Sequence, residues 1–143
     1  MKIMAIDYGD ARTGFAISDR SEFLASPIGT VPERNAERLA DKAAQTAAEY
    51  GAGEIIVGLP INMNGTEGPR AEKCRAFAEL LKERTHLPVR MWDERFTTVT
   101  AHNILNETNV RGKARKAVVD TVAATIILEG YLEYRRKKAK QAD

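Results

Sequence analysis

The sequence predicts a five-stranded mixed α/β sheet, antiparallel over its first three strands, continued by parallel crossovers and flanked by helices. Three observations carry this. Two apolar runs, Ile3 to Ile6 and Gly14 to Ser18, sit on either side of a Gly9-Asp10 turn. From residue 32 onward, segments of helical period alternate with short apolar runs of strand length. The chain has 143 residues, 43% hydrophobic and 29% charged, enough to bury the core of one domain, expected over residues 1–143.

Ile3 to Ile6 is apolar on both faces, which suits a central strand, and it forms a hairpin with Gly14 to Ser18. A third strand is expected within residues 22–31. Pro32 and Glu33 then open a helix, with Ala36, Leu39, Ala40, Ala43 and Ala47 at helical spacing and Gly51 as its stop. Glu54 to Val57 reads as a short buried strand, and GLPINMNGTEG after it as a loop. Beyond Pro69, the row Cys74, Phe77, Ala78 and Leu81 marks a second helix, with Cys74 a small core residue rather than a nucleophile. Pro88 to Trp92 is the fifth strand. Thr97 or Thr98 caps a short helix to about Asn106, Glu107 to Lys116 reads as a polar, basic loop, and Ala117 to Tyr134 as the last helix.

Composition removes several classes of function. One cysteine cannot form an internal disulfide, and no apolar run approaches the roughly 20 residues of a membrane span, so the expected location is cytoplasmic with no membrane partner. No His pair or Cys pair offers a structural zinc site. Glu107 stands where a P-loop ending in Gly112-Lys113 would need glycine. An actin-like or sugar-kinase phosphate-binding half also begins with a strand, Asp-x-Gly and a hairpin, but needs a second domain of similar size. The net charge of +2 hides an excess in residues 101–143, where nine Lys/Arg face five Asp/Glu. Arg111, Lys113, Arg115 and Lys116 form one cluster and residues 135–140 another. The terminal cluster alone reads as a solvated helix end suited to the helix dipole, while the two together point towards nucleic acid.

Three carboxylates occupy positions that should be apolar. Asp7 ends the first strand, Glu94 follows the fifth, and Asp120 shares a helical row with Ala123, Ala124, Ile127, Leu128 and Tyr131. A buried carboxylate must be protonated, hydrogen-bonded, paired or bound to a metal. Asp7 could serve a turn, Glu94 could pair with Arg95, and Asp120 could bond Lys116. Ligands of open α/β sheets gather at the carboxyl ends of the strands, and an all-oxygen donor set suits a hard cation such as Mg²⁺ or Mn²⁺.

Four blocks, AIDYGDARTGFAISD, EIIVGLPINMNGTEG, MWDERFTTVTA and KAVVDTVAATIILEGYL, cover nearly the whole chain and resemble the YqgF family, also called RuvX, in family order. The resemblance implies a ribonuclease H-like fold and a nuclease of small-subunit (pre-16S) ribosomal RNA precursor. The alternatives are a Holliday junction resolvase acting on four-way DNA, or a non-catalytic RNA-binding module. It implies that Asp7, Glu94 and Asp120 are an acidic cluster holding two divalent ions, Mg²⁺ or Mn²⁺, in a monomer or homodimer. Arg12, Asn62, Asn64, Gly65, Thr66, Arg95, Thr97 and Thr98 become candidate substrate contacts, joined by Arg111, Lys113, Arg115 and Lys116 from the basic stretch. Two departures from the family pattern are Asn64, where many relatives carry Asp, and Asp10-Ala11 after the first strand.

Overall fold

The structure is a computed structural model that describes the backbone of residues 1–96 and 112–142, and the side chains of residues 1–95 and 122–141. Five strands form one sheet: β1 (Lys2–Asp7), β2 (Arg12–Ser18), β3 (Ala25–Pro32), β4 (Ala52–Leu59) and β5 (Val89–Asp93). Their order is β3-β2-β1-β4-β5. The first three are antiparallel, while β4 and β5 join as parallel crossovers, as the sequence predicts.

Strand alternation decides which helix covers each side chain. Met4, Ile6, Ile55 and Val57 pack beneath α1 (Ala36–Tyr50) and α2 (Pro69–Thr85). Ile3, Ala5 and Ile56 face the opposite helix, α3 (Gly112–Ala142), through Ala124, Ile127, Leu128, Tyr131 and Leu132. Cys74 is buried in the first of these layers, and burial pushes its thiol up to about 11, which suits a core residue. No helix among the described residues is long and apolar enough to cross a membrane.

Two expected boundaries move. Pro32 belongs to the edge strand β3, paired with Arg12, so α1 starts later, where the Asn35 side chain accepts the Arg38 amide at 2.9 Å. The last helix is longer at both ends than Ala117 to Tyr134. Lys113, Ala114, Arg115 and Lys116 are strong helix formers, so a polar, basic composition does not make them the expected loop. At the other end a Glu133–Lys137 pair at 3.2 Å supports the run of Lys and Arg to Ala142. The short helix expected from Thr97 or Thr98 to Asn106 lies outside the described residues.

A buried polar strut ties α3 across the sheet. Glu54 on β4 is 2% exposed and accepts from Arg90 Nε on β5 at 2.6 Å and from the Tyr131 hydroxyl on α3 at 3.0 Å. Arg135 Nη1 lies 3.6 Å from its second oxygen.

Candidate active site

The carboxyl edge of the sheet is built by alternation and register. Ile3 and Ala5 face α3, so the next residue of that parity, Asp7, lies on the same side at the end of β1. Ile6 pairs with Val57 and Gly58 with Trp92, which sets Gly58 between the end of β1 and the end of β5. Glu94 opens a single 3₁₀ turn, Glu94–Phe96, directly after β5.

Gly58 has no side chain because there is no room for one. A Cβ there would lie 2.6 Å from Glu94 Oε1 and 2.6 Å from Ile127 Cδ1. The Glu94 carboxylate therefore rests over the backbone of β4, in the layer between the sheet and α3. Burial pushes its carboxyl above the usual range, opposed by the Arg70 guanidinium and reinforced by Asp93.

Asp120 belongs to α3, with its side chain outside the described residues. Tyr131 meets Glu54 near the start of β4 and Ile127 meets Gly58 near its end, so α3 runs opposite to β4. Position 120, two turns before Ile127, is carried about 10 Å further along the axis, past the carboxyl ends of the strands. Among the described residues no group of three His, Cys, Asp or Glu side chains could hold a metal.

The other candidates divide. Arg95 bonds Asp93, through Nε and Nη2 at 3.0 and 2.7 Å. The loop after β4 brings Gly65 to Arg95: the backbone at Gly65 has φ +87°, and a Cβ there would lie 3.9 Å from Arg95 Nη1. Asn62, Asn64 and Thr66 knit this loop together. The Asn62 amide donates to Thr66 Oγ1 at 3.0 Å, and Asn64 Oδ1 accepts from the Thr66 amide and hydroxyl at 3.1 and 2.6 Å. Asn64 thus performs the turn chemistry of an Asp by accepting only. Arg12 lies at the same edge but towards β3, beside Glu33, Arg34 and Arg38. Lys113, Arg115 and Lys116 stand in the first two turns of α3, their side chains outside the described residues, as are Thr97, Thr98 and Arg111.

Sequence reasoning missed Arg70. It follows Pro69, the first residue of α2, and donates to the Tyr8 carbonyl and to Asp10 Oδ1, the latter at 2.8 Å. Its guanidinium stacks 5.0 Å above the Tyr8 ring. Asp10, with Lys73 also 3.6 Å away, therefore locks the turn after β1 onto the start of α2. A cation just past a Gly/Pro loop, at the first turn of a helix, was the available signal.

The sequence model of the RuvX family, described as Holliday junction resolvase, matches residues 1–134. A relative from Halothermothrix orenii is 45% identical over 137 residues, 96% of this chain and 98% of its own length. One from Clostridium novyi is 44% identical over 133 residues, 93% and 98% of the two chains. Both carry the name "Putative pre-16S rRNA nuclease". Among solved structures, RuvC from Thermus thermophilus superposes with a TM-score of 0.57 at 11% identity, covering 94% of this chain and 96% of that one. The fowlpox virus resolvase bound to Holliday junction DNA gives 0.56 at 13% identity, covering 94% and 98%. These likenesses identify the sheet and its helices as the ribonuclease H-like fold of the RuvC type. With a family match over most of its length, on a sheet whose carboxyl edge gathers Asp7 and Glu94, the chain belongs to the RuvX family.

Proposed function

We propose that the protein is a divalent-metal-dependent nuclease that hydrolyses phosphodiester bonds in the precursor of small-subunit ribosomal RNA. The observation that carries this reading is the Glu94 carboxylate seated over Gly58 beside the end of β1, at the edge where α/β sheets bind ligands. The residues suit a hard cation. Their donors are carboxylate oxygens, and burial keeps the Glu94 carboxyl raised despite Arg70, so a further positive charge there would be stabilising. Asp7 and Glu94 would hold the ion or ions, with Asp120 as the third donor from α3.

When bound, divalent cations in such sites activate water and neutralise charge on the transferring phosphoryl group. The chain's own residues supply the rest. The Tyr8 stack and the Asp10 pair fix the Arg70 guanidinium at the turn that follows Asp7, where it attracts the phosphate of the scissile strand. Gly65 keeps the loop surface low beside Arg95, so that a sugar-phosphate backbone can pass between loop and edge.

The test offers purified protein with Mn²⁺ or Mg²⁺ a panel of precursor ribosomal RNA, generic single-stranded RNA and four-way DNA junctions. Preferred, metal-dependent cleavage of the precursor supports the proposal. Preferred cleavage of junctions replaces it with resolvase activity, and binding without cleavage of any substrate replaces it with a non-catalytic RNA-binding role.

A further inference from the structure

A groove of about 840 Å³ runs between the edge strand β5 and the C-terminal half of α3. Arg90 and Trp92 line it from the strand, Tyr134, Lys137 and Lys138 from the helix. It begins at Asp93, one residue before Glu94, and leads away from the candidate site towards the basic end of α3. The groove exists because α3 lies mainly over β1, β2 and β3, leaving the outer strand as an open shelf.

Two features of the lining occur together. The first is aromatic: the Trp92 and Tyr134 rings are 5.6 Å apart at 53°, and Tyr134 is 45% exposed. The second is cationic. Lys138 Nζ stands 5.6 Å over the Tyr134 ring, and the Arg90 side chain is 65% exposed although its Nε is engaged by Glu54. Lys137 and Arg135 also line it, beside the acids Asp93 and Glu133; Arg90 is bonded to Glu54, Arg135 to Glu22 and Asp93 to Arg95, while the Lys137–Glu133 pair is solvated and can open to a phosphate. Rings that can stack on bases, set among cations that can meet phosphates, are the equipment of a single-strand platform. A duplex would offer phosphates but leave the rings unused. A second copy of the chain would set one basic face against another.

Resting on the nuclease reading, we infer that this groove binds the unpaired RNA strand of the substrate as it leaves the candidate site, with Tyr134 as a stacking surface and Lys137 and Lys138 as phosphate-binding groups. The chain provides its own probe, since Trp92 is the sole tryptophan.

The experiment titrates the full-length protein with a uridine-rich single-stranded 12-mer RNA in chelator, so that binding is read without cleavage, and follows Trp92 emission. Saturable quenching is expected, with a blunt RNA duplex of equal length much weaker. The Tyr134→Ala/Lys137→Ala/Lys138→Ala variant should bind about tenfold or more weakly. Its slope of log affinity against log salt should fall by about 1.4, because two phosphates are no longer neutralised by lysine. Tyr134→Phe keeps the ring and should retain most of the binding. An unchanged affinity and slope in the triple variant, with unchanged melting temperature, overturns the inference. So does tighter binding of the same sequence as DNA, or an emission spectrum that RNA leaves unmoved, which would mean that another part of this chain or a second copy fills the groove. If wild-type protein cleaves precursor RNA while the triple variant binds normally, the groove falls and the nuclease stands. If RNA quenches Trp92 but nothing is cleaved with Mn²⁺ or Mg²⁺, the nuclease falls and the groove stands as an RNA-binding surface.

Discussion

Glu54 and Glu94 are both glutamates held between the sheet and α3, one near the start of β4 and the other just past the end of β5. Glu54 is the more deeply buried, yet its charge is met from within the protein by Arg90, Tyr131 and Arg135. Glu94 is less buried, and there burial outweighs the pull of Arg70, so its carboxyl stays raised. The difference separates two uses of an interior acid. Inside the layer, the partners of Glu54 make it a strut; at the carboxyl edge of the sheet, Glu94 occupies the place where α/β sheets bind ligands, and the proposed metal role rests on that position.

The most severe way to break this comparison is to remove the edge acids. Asp7→Asn, Glu94→Gln and Asp120→Asn should each lower cleavage by more than about a hundredfold, the scale reached by loss of a metal's outer-shell partner alone. Each variant should stay folded by circular dichroism. On the proposed reading the three form one unit, so a double variant should be little worse than the worst single one.

Gly58 is the next most sensitive position. Gly58→Ala sets a methyl 2.6 Å from both Glu94 Oε1 and Ile127 Cδ1, so the carboxylate or the helix must move. Cleavage should fall by more than tenfold at a stability cost of about 1–3 kcal/mol. Chemical denaturation beside a cleavage assay below the melting temperature separates the two effects. Normal cleavage by this variant would show that the seat of Glu94 over β4 is not required.

Glu54→Gln should show the reverse pattern. Loss of a hydrogen-bonded charge costs about 1–3 kcal/mol, towards the low end because Arg90 is largely exposed. A lower melting temperature with unchanged cleavage by the folded protein is the expected result.

How much of this was legible in the sequence follows from how local each signal is. Asp7 and Glu94 stood out because each follows an apolar run directly, and the succession of elements along the chain followed from apolar runs separated by turn residues and helical periods. Glu54 did not stand out, because a polar residue entering a strand is ordinary and its partners lie 36, 77 and 81 positions away. The role of Gly58 was hidden for the same reason, since what fills the space above it comes from residues 94 and 127. Arg70 lies 62 positions from the carbonyl it bonds. The last helix extends past its expected ends because a run of Lys, Arg and Ala is polar but continues a helix well.

The smallest effect belongs to a third kind of acid, one whose partners are local and solvated. The Ser21 hydroxyl and the Leu24 and Phe23 amides hold the exposed Asp19 carboxyl down to about 2. A folded-state value below the unfolded one stabilises the fold above the ordinary carboxylate range, and that contribution is lost as pH falls from about 4 towards 2. The melting temperature of wild type should therefore exceed that of Asp19→Asn slightly at pH 7, with the gap closing across that window. A gap independent of pH would assign the effect to turn geometry rather than to charge.

The distinction between the two interior glutamates is tested most directly by titrating Mn²⁺ into wild type, Glu94→Gln, Asp7→Asn and Glu54→Gln by calorimetry, after melting curves establish that each is folded. The expected result is binding by wild type and by Glu54→Gln with equal affinity, and binding weakened by tenfold or more in Glu94→Gln and Asp7→Asn. Equal binding by all four proteins, or a loss confined to Glu54→Gln, would contradict it.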